Sequence, residues 1–119
     1  MAIHESAENY LETILVLSER NSVVRSVDIA AELDFTKPSV SVAMKNLRDG
    51  GYITMDKNSY ISLTESGKEI AEEMYMRHKF FSEWLISLGV EKDTALRDAC
   101  RIEHVISPES FEAIRRNFI

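Results

Sequence analysis

Residues 26–63, SVDIAAELDFTKPSVSVAMKNLRDGGYITMDKNSYISL, change their hydrophobic period once, and that change decides the fold. Ser26 reads as an N-cap, followed by Val27, Ile29, Ala30 and Leu33 on a short helix that ends near Asp34. After a turn at Asp34-Phe35, Thr36 caps a second short helix. Pro38 sits in its first turn, where a missing N–H costs little. Val40, Ala43, Met44 and Leu47 form the buried face of this helix, and Gly50-Gly51 stops it. The period then drops to two. Tyr52–Met55 and Tyr60–Leu63 are β-prone runs joined by the polar turn Asp56-Lys57-Asn58-Ser59, which predicts a hairpin.

Upstream, residues 6–19 carry Tyr10, Leu11, Ile14, Leu15 and Leu17 as a helical apolar stripe. Downstream, Thr64 caps a long helix reaching Leu88, with Ile70, Met74, Phe81, Leu85 and Leu88 on one stripe and Gly89 as its stop. A further helix covers roughly Lys92 to Val105, and Pro108 opens a last one. Helix, short helix, turn, second short helix and hairpin, in that order, make a winged helix-turn-helix. The fold class expected is mostly α, with a winged helix-turn-helix over 1–63 and a helical domain over 64–119.

The composition sets limits. The longest apolar runs are about four residues, such as Ile14 to Leu17, so no membrane span is expected. The N-terminus MAIHESAENY lacks the basic and apolar regions of a secretory signal, and Cys100 is the lone cysteine. Both lead to the expectation of a reducing cytoplasm. The net charge of −6 is unfavourable for nucleic-acid binding. However, Phe35 to Arg48 holds three of the 14 basic residues (Lys37, Lys45 and Arg48) and none of the 20 acids. That makes a small basic island on an acidic body.

In a winged helix-turn-helix the second short helix enters the major groove by its N-terminal turn. Thr36, Lys37, Pro38, Ser39, Ser41 and Val42 are then the candidates nearest the base edges. Hydroxyls suit phosphates or base edges, and the apolar Pro38 and Val42 suit thymine methyls. Lys37, Lys45 and Arg48 suit phosphates, and Lys57 at the hairpin tip is placed as a wing contact. One such footprint is small, so double-stranded operator DNA is expected to be bound by two copies about one helical turn (~34 Å) apart. The large side chains Phe80, Phe81, Trp84, Leu85, Leu88 and Ile102 exceed what a few short helices need, which suggests a homodimer interface in the second half.

The segment Cys100-Arg101-Ile102-Glu103-His104 carries the chemistry. On a helix, Cys100, Glu103 and His104 fall within an arc of about 100°. A thiolate, a carboxylate and an imidazole on one face describe a transition-metal site. His78 lies inside the apolar stripe of Met74, Phe81 and Leu85, where its nitrogens need a partner. Asn9 and Glu12, three apart, offer two oxygens from one face of the first helix.

These residues resemble the diphtheria toxin repressor family of metal-dependent regulators, which includes iron-type members and the manganese transport regulators. The resemblance runs through ENYLETI at 8–14, VDIAAEL at 27–33, PSVS at 38–41, LTESGK at 63–68, RH at 77–78 and DACRIEHVIS at 98–107. It implies a metal-dependent repressor, not an enzyme, whose helical half binds metal and dimerises. It also implies a corepressor site of Glu12, His78, Cys100, Glu103 and His104, with Asn9 at a further ligand position. Cys100 is similar to the iron-type members and Glu12 to the manganese group, while Asn9 matches neither. Ser82 and Leu96 stand where the iron-type ancillary ligands are expected, and the SH3-like domain of iron-type members is not expected here. A thiolate with two imidazoles suits Fe(II), Co(II), Ni(II) or Zn(II) better than the harder Mn(II). Availability then makes Fe(II) the first expectation and Mn(II) the second. A winged helix using Cys100 as a redox sensor is the alternative from outside the metal-responsive class.

Overall fold

The computed structural model describes residues 5–118. Its elements are α1 (Glu5–Arg20), α2 (Ser26–Leu33), α3 (Lys37–Asp49), β1 (Ile53–Met55), β2 (Ile61–Leu63), α4 (Glu65–Ser87), α5 (Lys92–Val105) and α6 (Pro108–Asn117). Two compact units divide between Glu72 and Glu73, inside α4. The architecture is the mostly α one expected, a small winged helix followed by a helical unit.

In the first unit the helix-turn-helix is fixed by its caps. Thr36 accepts a hydrogen bond from the Ser39 N–H at 3.3 Å and starts α3 with Pro38 in the first turn, as its sequence predicts. The start of α2 differs from the expectation. Arg25, not Ser26, is the N-cap, and its N–H donates to the Asp28 carboxylate at 2.9 Å. Asp28 reaches back to satisfy the N–H of the cap residue itself, the half of a capping box contributed by the third helical residue. Asp34 closes α2 in the left-handed region (φ 56°), which short polar side chains tolerate.

β1 and β2 pair antiparallel, with Ile53 opposite Leu63 and Met55 opposite Ile61. The Ile61 N–H also donates to the Val24 carbonyl at 2.7 Å, which ties the hairpin to the segment before α2. Leu11, Ile14 and Leu17 of α1, Ile29 of α2, Val40, Met44 and Leu47 of α3, and Ile53 and Ile61 of the hairpin share one core. Val27, grouped with the apolar side of α2 in the sequence, points outward and is exposed.

α4 begins where Thr64 accepts from the Gly67 N–H at 3.2 Å and donates its hydroxyl to the Gly51 carbonyl at 2.7 Å. The Thr64 N–H donates to the Tyr52 carbonyl at 3.1 Å. The first turn of α4 therefore lies directly on the chain entering β1.

The second unit packs Phe81, Ala99 and Phe111 with Phe80, Trp84, Ile102, Ile106 and Ile114. Phe80, Phe81 and Phe111 meet at ring separations of 5.4–5.6 Å, close to edge-on or tilted, which suits their quadrupoles. Most of the aromatic surplus expected to face a second copy is thus used inside this unit. Leu88, placed on the α4 stripe by its spacing, lies beyond the end of the helix and is 64% exposed. The chain turns there through Gly89 (φ 98°), with the Val90 N–H donating to the Leu85 carbonyl at 3.0 Å. Glycine adopts that φ without steric cost. At the head of α5, Glu91 accepts from the Thr94 N–H at 3.1 Å.

Two outcomes follow. A Cβ on Gly67 would overlap the carbonyl oxygen of Tyr52. Gly67→Ala should therefore destabilise the first unit by about 1–3 kcal/mol or more, read by urea denaturation. An unchanged midpoint would contradict the close approach. The backbone N–H groups of Asp93 and then Thr94 hold the Glu91 carboxyl below its ordinary 4.5. A lowered folded-state pKa means that the stabilisation is complete above that ordinary value and fades as pH falls through the folded one. The stability gap between the native chain and Glu91→Gln should be open at neutral pH and should close in acid; a gap constant across that range would refute the cap.

Candidate metal centre and nucleic-acid interface

Cys100, Glu103 and His104 share one face of α5 because positions three and four apart are neighbours on a helix. Their donor atoms lie within 4.8 Å of one another. Ala99 and Ala95 occupy the same buried line, about one and two turns before Glu103. Glu103 is 0% exposed. One of its carboxylate oxygens lies 3.1 Å from His78 Nδ1 on α4, and the other 3.2 Å from His104 Nε2. A fully buried carboxylate is costly unless its oxygens are matched. Here each oxygen faces an imidazole nitrogen, and a half-buried free thiol stands beside them.

This donor set fits a divalent transition metal. Atoms bonded to one ion at ~2.0–2.3 Å stand at most about 4.6 Å apart, close to the spread of the three α5 donors. Imidazole, carboxylate and thiolate are ligands that zinc, iron and cobalt share. Four of the six expected ligands, His78, Cys100, Glu103 and His104, come together inside the second unit. The other two, Asn9 and Glu12, lie on α1 in the first unit. Ser82 donates its hydroxyl to the His78 carbonyl at 2.7 Å and is spent within α4, while Leu96 is exposed on α5.

One residue beside the centre escaped the sequence reading. Arg77 precedes His78 and is 5% exposed. It donates through one guanidinium nitrogen to the Glu103 carbonyl at 3.1 Å and the Ile106 carbonyl at 2.9 Å. The signal was present: Arg77 stands three after Met74 and four before Phe81, so it falls on the core side of α4.

On the first unit, Lys37, Pro38, Ser41, Val42, Lys45 and Arg48 are exposed along α3, and Lys57 is exposed at the hairpin tip. Thr36 and Ser39 are exposed too; the Thr36 hydroxyl caps α3 and donates to the Ser39 hydroxyl at 2.8 Å, and the Ser39 hydroxyl keeps its own proton to donate. Arg48 lies 3.6 Å from Asp49, which tempers its charge. Val42 is 61% exposed in the middle of a helix whose other outward residues are mostly polar. Asn46, outside the expected set, is also exposed on α3.

No helix among the described residues is long and apolar enough to cross a membrane. Residues 2–60 match the family model described as the iron dependent repressor N-terminal DNA binding domain. Residues 64–118 match the iron dependent repressor metal binding and dimerisation domain. The transcriptional regulator MntR of Escherichia coli O6:H1 (strain CFT073) is 35% identical over 93% of this chain and 72% of its own length. The solved manganese regulator SloR superposes with a TM-score of 0.82 at 27% identity, over 98% of this chain and 54% of that one. A manganese-dependent transcriptional repressor solved in complex with manganese superposes at 0.83 and 25% identity, over 93% of this chain and 51% of that one. The chain thus spans about half the length of these two solved chains. With both halves matched in order and the metal-ligating residue types gathered on α4 and α5, the chain belongs to the iron-dependent repressor family of metal-dependent, DNA-binding transcriptional regulators.

Proposed function

We propose that this chain is a cytoplasmic repressor, not an enzyme, that binds double-stranded operator DNA as a homodimer when loaded with a divalent transition metal and so controls metal homeostasis. The observation that carries this is the buried Glu103 carboxylate between two imidazoles and beside a thiol, in a chain that also presents an exposed recognition helix. We assign His78, Cys100, Glu103 and His104 as ligands in the second unit, with Glu12 and Asn9 recruited from α1. Bound at these donors, the metal supplies positive charge to an otherwise anionic cluster. Without it, the carboxylates of Glu12 and Glu103 repel one another, which disfavours holding α1 to the helical half. Drawing Asn9 and Glu12 to the donors of α4 and α5 fixes the spacing of the two recognition helices in the dimer. By linkage, whatever factor metal adds to DNA affinity, DNA adds to metal affinity.

The Cys100 thiol favours Fe(II) as the physiological signal, ahead of Mn(II), because sulfur prefers the softer ion. The manganese reading draws on the relatives, which are described as manganese regulators. Anaerobic gel-shift titration on the protein's own promoter with Fe(II), Mn(II) and Zn(II), each with and without chelator, separates them.

In the same assay Glu103→Ala and His104→Ala should abolish metal-stimulated binding. Either variant responding normally to metal would overturn the ligand assignment. The exposed Val42, with Pro38 one turn before it, suits thymine methyl groups. Replacing a contacted thymine by uracil should weaken binding roughly three- to fourfold per methyl, and Val42→Ala should erase that difference. Equal affinity for both operators with the native chain would show that the methyls are not read.

A further inference from the structure

Arg77 has an unusual set of partners for an arginine. Its side chain is almost wholly enclosed, its guanidinium carbon lies 5.3 Å from the centre of the Phe111 ring, and Glu73 is 3.9 Å away. Its two short hydrogen bonds go to main-chain carbonyls at the end of α5, those of Glu103 and Ile106. Its buried Nε–H has no hydrogen-bond partner among the described residues. An incompletely satisfied buried cation is an expensive way to join two helices, and an apolar side chain of similar length fills such a space at less cost. Charge does not explain it either, since a guanidinium close to Glu103 opposes the arrival of another cation. What its terminal Nη1 group does, and an apolar chain cannot, is hold two carbonyl oxygens at the end of α5, those of Glu103 in the last turn and Ile106 after it, at fixed distances from α4.

That turn carries the proposed ligands. Glu103 and His104 lie on it, and His78 follows Arg77 directly on α4. Resting on the metal-site reading above, we infer that Arg77 is a positioning residue. It clamps the C-terminal turn of α5 to α4, and so sets the separation of His78 from Glu103 that a metal ion meets on arrival. The clamp acts through main-chain oxygens, so it fixes where the ligands stand without competing for their donor atoms. Residues that orient metal ligands from behind in this way commonly change affinity 10- to 100-fold when removed.

The test is an anaerobic Co(II) titration of the full chain, followed by its visible ligand-field and thiolate charge-transfer bands, with thermal melting alongside. Arg77→Met keeps much of the length and bulk but removes the donors to both carbonyls. It should weaken Co(II) binding by 10- to 100-fold and shift the ligand-field bands. Arg77→Lys keeps the charge and one donor group, and should recover only part of the affinity. Arg115→Met, which removes an exposed arginine paired with Glu112, should leave affinity and spectrum unchanged. Native affinity and spectrum in folded Arg77→Met, with only the melting temperature lowered, would overturn the positioning role. Full recovery in Arg77→Lys would overturn it too, because an ammonium one bond shorter cannot hold both carbonyls where the Nη1 group does. Should Arg77→Met fail to fold, Arg77→Lys decides: shifted bands with weaker binding support the clamp, and native behaviour overturns it. Failure of the native chain to develop a Co(II) thiolate band would instead remove the metal-site reading itself, and the inference with it.

Discussion

The buried carboxylate of Glu103 constrains the second unit more than any other group. A carboxylate at 0% exposure must be matched on both oxygens, and its neighbours are chosen accordingly: His78 Nδ1 on one side and His104 Nε2 on the other. On the same buried line of α5 lie Ala95 and Ala99. Beside the centre, Phe80, Phe81 and Trp84 of α4 pack on Phe111 of α6, with Ala99 and Ile102 of α5 in the same cluster. Arg77 then ties the last turn of α5. Polar groups at the centre and apolar packing around it are thus one arrangement. Full burial of Glu103 strengthens its electrostatic interactions with the two imidazoles.

The first unit is organised by a different constraint, the need to present one helix face without destabilising it. α3 buries Val40, Met44 and Leu47 on one side. Its N-terminus is capped by the Thr36 hydroxyl, which accepts from the Ser39 N–H and donates to the Ser39 hydroxyl, so the first turn holds without a partner. The Ser39 hydroxyl still has its own proton to donate, and it stands exposed with Lys37, Pro38, Ser41, Val42 and Lys45. An outward valine is the clearest chemical statement on that face. It offers no hydrogen bond, which suits an apolar partner such as the thymine methyl proposed above.

Much of this was legible in the residues. The change from helical to alternating period at Gly50-Gly51 located the hairpin, and Thr36, Thr64 and Pro108 marked helix starts because capping chemistry is local. The one misplaced cap, Ser26, failed for a local reason as well: Asp28 competed for the same helix end and its carboxylate bonded the Arg25 N–H. Leu88 misled because a periodic stripe carries no information about where a helix stops, and Gly89 ended it just short of that residue. Arg77 was overlooked because its partners are main-chain carbonyls of α5, which no sequence pattern displays.

The sequence by itself determined the order and kind of the elements, the basic island on α3 and the one-face spacing of Cys100, Glu103 and His104. All of these depend on intervals of a few residues, over which backbone geometry is nearly fixed. Only the tertiary structure decided that Glu103 is fully buried and meets His78 from another helix. It also decided that most of the aromatic residues serve the unit's own core, and that Arg77 faces the end of α5. Those facts depend on how helices far apart in sequence pack. That packing is set by the summed fit of many apolar side chains, which no short interval encodes.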